Sequence, residues 1–130
     1  MPIRLLLADD NPEFLSSLRA LLQQTADFDV VAEAASGPEA VALALFHRPD
    51  VSLLDVRMPG CSGIEAARQI RKSWRNAVII LLSMNVESVY LAEAVKAGAA
   101  GYLTKTVDDL ELVETIRAAL RGQTCFHSPP

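Results

Sequence analysis

The sequence predicts a doubly wound α/β domain in which five parallel strands alternate with five helices. Two observations predict it. Short runs of Val, Ile and Leu recur along the chain, as expected of strands covered on both faces. Between them lie longer segments of helical period, the spacing of crossover helices. Right-handed crossovers then put helices on both sides of the sheet. A length of 130 residues with 51% hydrophobic residues suits one domain with one substantial core.

The strands are expected at 3–8, 29–34, 51–55, 78–82 and 101–103. The second is the most mixed in polarity and suits a sheet edge. Asn11-Pro12 supplies a cap and an N1 proline for the first helix. Ser36/Glu39, Ser62/Glu65 and Asp108/Glu111 have capping-box spacing and open the second, third and fifth helices. The fourth, over roughly 87–97, has Asn85 as a weaker cap and Gly98 just beyond its end; Gly122 closes the fifth in the same way. Apolar stripes are expected at Phe14/Leu18/Leu21/Leu22, Val41/Ala44/Leu45, Ile64/Ala67/Ile70, Val89/Ala92/Val95 and Leu110/Val113/Ile116/Leu120.

A formal net charge of −4 gives none of the basic excess that phosphate-backbone binding requires, so direct nucleic-acid contact by this segment is not expected. Cys61 and Cys125 lack metal-ligand or CxxC spacing, and Met1-Pro2 leads into a strand, not a signal sequence. Cys61 reads as a turn or helix-entry residue, Cys125 as a tail thiol, and Trp74 as a rim residue of the third helix or a partner contact. The apolar stretch 77–82 is far short of the roughly 20 residues a membrane helix needs. A cytoplasmic protein with no membrane contact is therefore expected.

Polar residues collect at the carboxyl ends of the strands. Asp9 and Asp10 end the first, Asp55 the third, Ser83 follows the fourth and Lys105 the fifth. In an open parallel sheet these ends border the ligand crevice. Three carboxylates brought together repel one another unless a cation lies among them, and an all-oxygen set suits Mg²⁺. A carboxylate beside such an ion can attack phosphorus, with Lys105 and Ser83 to neutralise and hydrogen-bond the transferred oxygens. Neither His47 nor His127 lies at this level. Each residue alone has a plainer reading: Asp9-Asp10-Asn11 as a helix cap, Asp55 as a turn former, Ser83 and Lys105 as surface groups. Their joint placement favours phosphate chemistry. It leaves open which carboxylate is the nucleophile.

The runs Leu6-Leu7-Ala8-Asp9-Asp10-Asn11, Leu53-Leu54-Asp55-Val56-Arg57-Met58-Pro59-Gly60 with Gly63, Leu82-Ser83 and Gly98-Ala99-Ala100-Gly101-Tyr102-Leu103-Thr104-Lys105 resemble the response-regulator receiver family of two-component signalling. The tail from Asp109 to Gly122 and Ser128-Pro129 resembles the NarL/LuxR-type subfamily. The resemblance implies a flavodoxin-like sheet of order 2-1-3-4-5, with the receiver over 1–122. Residues 123–130 are then a tail or the start of a linker to a DNA-binding helix-turn-helix domain outside this sequence, with a stand-alone receiver as the alternative.

The resemblance also assigns roles. Asp55 is the phosphoacceptor; Asp10 and Asp55 bind Mg²⁺ directly, the Arg57 backbone carbonyl joins them, and Asp9 acts through a water. Ser83 and Lys105 bind the phosphoryl group, while Ser83 and Tyr102 form the switch. The implied partners are a histidine kinase and, on phosphorylation, a second copy, with output through the fourth helix, fifth strand and fifth helix. Such a chain is a switch, not an enzyme, apart from assisting its own phosphorylation and slow dephosphorylation.

The sequence departs from the family in two places. Thr106 replaces a proline after Lys105, which implies a trans bond, and bulky Met84 follows Ser83, which bears on access to the pocket and the lifetime of the phosphorylated form. A phosphohydrolase is disfavoured because Asp9-Asp10 is not an Asp-x-Asp run. A phosphorylation-independent interaction module is disfavoured by the intact acidic set.

Overall fold

Pro2 begins the described part of this computed structural model, which covers residues 2–84 and 88–126. The elements run β1 (Ile3–Ala8), α1 (Pro12–Gln23), β2 (Phe28–Ala34), α2 (Gly37–His47), β3 (Val51–Asp55), α3 (Gly63–Ser73), β4 (Ile79–Ser83), α4 (Ser88–Lys96), β5 (Gly101–Thr104), α5 (Asp109–Leu120) and β6 (Cys125–Phe126). The sheet order is β2-β1-β3-β4-β5-β6, and every pairing is parallel. The expected order holds for the first five strands, with mixed β2 at an edge.

The expectation of five strands needs one correction, because Cys125 and Phe126 add a sixth. After Gly122 reverses the chain at φ 85°, the Cys125 N–H donates to the Ala100 carbonyl at 2.9 Å. Gly101 permits this approach, since a Cβ there would stand 3.0 Å from the Cys125 carbonyl oxygen. Two residues are too few to show a strand period. Cys125 is thus a strand residue and not a loose tail thiol.

Alternation along the strands divides the core. Leu6, Ala8, Leu54, Ile79, Leu81 and Tyr102 face α2, α3 and α4. Leu5, Leu7, Leu53, Ile80, Leu82 and Leu103 face α1 and α5. Each fully buried leucine or isoleucine contributes about 1.5–3 kcal/mol, so the central strands anchor the site.

The caps form as their spacing implies. Ser36 Oγ accepts from Glu39 N–H, Ser62 Oγ from Glu65 N–H, and Asp108 Oδ1 from Glu111 N–H. Gly98, at φ 85°, follows α4 as expected. Asn85 and Glu87 lie outside the described residues, as do His127, Ser128 and Pro129.

The inner faces of the last two helices differ from expectation. On α4 the buried residue is Ala94, and Ala97 just past its end is buried too, whereas Ala92 and Val95 are exposed and the Val89 side chain is outside the described part. On α5 the buried stripe is Leu112, Thr115, Ile116 and Ala119; Leu110 is 68% exposed and Leu120 also faces solvent. Both helices carry apolar residues on more than one face, so hydrophobicity alone does not fix their rotation. Trp74 caps α3 and packs partly buried against the core, with the Arg48 guanidinium 5.0 Å from its ring.

Candidate functional site

Strand ends and the loops after them bring the acidic residues together. The Asp9 N–H donates to the Ala34 carbonyl at 3.0 Å, which fixes the end of β1 against β2. Asp9 Oδ1 accepts from the Asn11 N–H at 2.9 Å, and Asn11 Oδ1 accepts from the Glu13 and Phe14 N–H groups. The predicted cap therefore exists, and it also orients a site carboxylate. Asp10 projects into solvent beside it.

At the end of β3, the Val56 N–H donates to the Leu82 carbonyl at 2.9 Å. Asp55 Oδ1 accepts from the Arg57 N–H at 3.3 Å, a turn contact that aims the carboxylate across the sheet edge. Gly63 holds the returning loop close: its N–H donates to the Val56 carbonyl at 2.8 Å, and a Cβ there would lie 2.0 Å from the Asp55 carbonyl oxygen.

From β5, the Lys105 N–H donates to the Ser83 carbonyl at 2.7 Å, which ties the two strand ends into register. Its Nζ stands 2.6 Å from Asp9 Oδ2 and 3.3 Å from Asp55 Oδ2. The ammonium also lies 4.5 Å from the centre of the Phe14 ring, a cation–π contact that keeps it directed inward.

Asp9, Asp10 and Asp55 each offer a carboxylate oxygen within 4.8 Å of the others. Burial, then the neighbouring Asp9 charge, push the Asp55 carboxyl above its ordinary range; Lys105 and the Arg57 N–H offset this only in part. One lysine between two buried carboxylates, with a third alongside, leaves negative charge uncompensated. An all-oxygen cluster of that kind fits a hard divalent cation. A cavity of about 430 Å³ opens over it, lined by Asp10, Asp55, Ser83, Lys105, Arg57, Met84 and Tyr90.

The residues singled out in the sequence thus come together, with one qualification. Tyr102 lies on β5 in the core and is fully buried against the α4 side, so its ring already points inward. His47 ends α2 away from the site, as expected. Two residues escaped sequence reasoning: Phe14, beneath Lys105, and Tyr90, in the cavity wall. Tyr90, Ala94 and Ala97 recur at i, i+4 and i+7, a spacing that would have found the inner face of α4.

Comparison with known proteins agrees with this architecture. The family model for the response regulator receiver domain matches residues 5–117, and the chain belongs to that family. It is 42% identical over 126 residues to an uncharacterized transcriptional regulatory protein, YxjL of Bacillus subtilis, covering 97% of this chain and 58% of that protein. Among solved structures, a LuxR-family two-component response regulator from Aurantimonas is 38% identical with TM-score 0.91, covering 96% of this chain and 89% of that one. The receiver domain of the putative response regulator NarL from Mycobacterium tuberculosis is 33% identical with TM-score 0.90, covering 94% and 98%. This chain is therefore related to the NarL/LuxR-type regulators, and it spans little more than half the length of YxjL. Among the described residues no helix is long and apolar enough to cross a membrane.

Proposed function

We propose that this domain is a magnesium-dependent phosphoacceptor in which Asp55 takes a phosphoryl group from the phosphohistidine of a partner kinase. The observation that carries the proposal is the convergence of Lys105 Nζ on Asp9 and Asp55 within a cluster of three carboxylates. Asp10, Asp55 and the Arg57 backbone carbonyl would hold Mg²⁺, with Asp9 acting through a water. The ion supplies charge neutralisation at the transferred phosphoryl oxygens.

Asp55 attacks phosphorus in line. As its carboxylate oxygen bonds to phosphorus, the P–N bond breaks and its electron pair returns to the imidazole, which takes up a proton. Lys105 then exchanges a carboxylate partner for a phosphoryl oxygen, and the Ser83 hydroxyl donates to another. The product adds roughly −1.5 to −2 of charge at the mouth of the sheet.

That charge biases the position of Ser83, and through it Tyr102 and the α4–β5–α5 face. Val95 on α4 and Leu110 on α5 leave apolar side chains exposed, which supports a partner surface on these two helices, including a second copy of the chain. β6 pairs beside β5 and forms part of its border. The inward Tyr102 matches the arrangement that the family resemblance associates with the phosphorylated form. Transcriptional output would pass through a DNA-binding domain outside this sequence, in a cytoplasmic protein. The domain acts as a switch rather than as a turnover enzyme.

Incubation with a small acyl phosphate and Mg²⁺, followed by intact-mass measurement, tests the proposal. One added phosphoryl group is expected, abolished by chelation of Mg²⁺ and by Asp55→Asn. Adduct formation at the wild-type level in Asp55→Asn would remove the assigned nucleophile. Catalytic turnover of a phosphate ester without a lasting adduct would favour the hydrolase instead.

A further inference from the structure

Tyr90 is the third residue of α4 and lies on the stripe that continues through Ala94 and Ala97. Those two alanines are buried over the sheet with Tyr102, so the stripe faces inward and carries the Tyr90 ring towards the sheet's carboxyl edge. Two depressions include Tyr90 in their lining. The first, of about 430 Å³, contains Asp55, Ser83 and Lys105. The second, of about 530 Å³, lies over the β3–α3 loop and is lined by Val56, Met58, Pro59 and Ser62. Asp10, Arg57 and Tyr90 line both.

Asp10 and Arg57 are exposed, whereas Tyr90 is partly buried against the core. Of the three shared residues, only Tyr90 presents an aromatic ring. Its ring, with Asp10 and Arg57, forms the wall shared by the phosphoryl pocket and the open ground above the loop.

We propose that the Tyr90 ring shields the phosphoryl group on Asp55 from water and so sets the lifetime of the phosphorylated state. The inference rests on the phosphoacceptor reading above. Hydrolysis requires a water oxygen to bond to phosphorus as the P–O bond to Asp55 breaks; its electron pair stays on the carboxylate, and the water's proton leaves to the phosphate or to solvent. Such a water must reach the face of phosphorus opposite Asp55. Removing the ring joins the two depressions and widens that approach. Keeping the ring but removing the hydroxyl leaves that wall in place. Because α4 carries the ring, a displacement of its first turn would alter the lifetime and the output face together.

The test loads the full chain with a small acyl phosphate and Mg²⁺, removes the donor, and follows loss of the adduct by intact mass in wild type, Tyr90→Ala and Tyr90→Phe. Tyr90→Ala is expected to lose the phosphoryl group roughly tenfold faster, a barrier change of about 1.4 kcal/mol. Tyr90→Phe restores the wild-type lifetime. Melting curves identify a variant that has lost its fold; Tyr90→Leu then replaces Tyr90→Ala and is expected to give an intermediate rate. An unchanged lifetime in a folded Ala or Leu variant overturns the inference while leaving Asp55 as acceptor. Equal acceleration in Phe and Ala overturns it too, by assigning the effect to the hydroxyl. Failure of the wild type to take up phosphate overturns both readings.

Discussion

The surroundings of Asp55 accommodate its charge poorly, because it is buried beside Asp9 and only partly offset by Lys105. A carboxyl whose pKa is raised by folding favours the protonated form, so its ionised form destabilises the metal-free domain. This penalty is absent below the unfolded-state value of about 3.9 and grows as pH rises through the higher folded-state value. Asp55→Asn is therefore expected to raise the melting temperature of the metal-free protein at neutral pH. The gain should shrink as pH falls towards 4, on the same scale; a gain that persists undiminished in acid would assign it to packing instead. At this scale the sequence was highly legible, since Asp9, Asp10, Asp55, Ser83 and Lys105 all follow apolar runs whose ends must lie at one edge. Phe14 was not, because its role depends on where a lysine from β5 comes to rest.

Elements place these residues through close backbone contacts, of which Gly63 makes the tightest at the site. A methyl group there would collide with the Asp55 carbonyl oxygen. Gly63→Ala must move either α3 or the loop bearing Asp55 and Arg57, with an expected loss on the order of 1–3 kcal/mol typical of overpacking. Denaturant melts should register that loss, and Mg²⁺ titration should show weakened binding. Wild-type stability and affinity would mean that the loop relaxes freely. Helix starts were legible because Asn11, Ser36, Ser62 and Asp108 satisfy local backbone donors. The rotations of α4 and α5 were not: Val95 and Leu110 are as apolar as a core residue and yet face outward. That error concealed Tyr90, whose reach into the pocket follows from the Ala94/Ala97 stripe.

The whole molecule depends on contacts that no local pattern reveals. Arg117 on α5 makes a bidentate pair with Asp27, in the loop before β2, at 2.7 and 2.9 Å, and its guanidinium lies 5.0 Å from the Phe28 ring. The Arg117 hydrogen bonds hold the Asp27 carboxyl below its ordinary range. Stability from this pair is present above the unfolded carboxylate value and is lost as pH falls through the lower folded value. Arg117→Ala should thus lower the melting temperature most at neutral pH, modestly because the pair is half exposed. The deficit should narrow in acid, leaving the part due to the Phe28 contact; a deficit independent of pH would exclude the ion pair as its source. The sheet order of the first five strands was legible from the strand and helix alternation together with the family resemblance, but β6 depends on a two-residue contact formed only after α5 has packed. The central proposal is that the strand ends present Asp55 to phosphorus. Borohydride reduction of the acyl-phosphate-treated protein, which converts an aspartyl phosphate to homoserine, followed by peptide sequencing in a mass spectrometer, tests it most directly. Homoserine at position 55, formed only when Mg²⁺ is present, is the expected result; homoserine at position 9 or 10, or at none of the three, would contradict it.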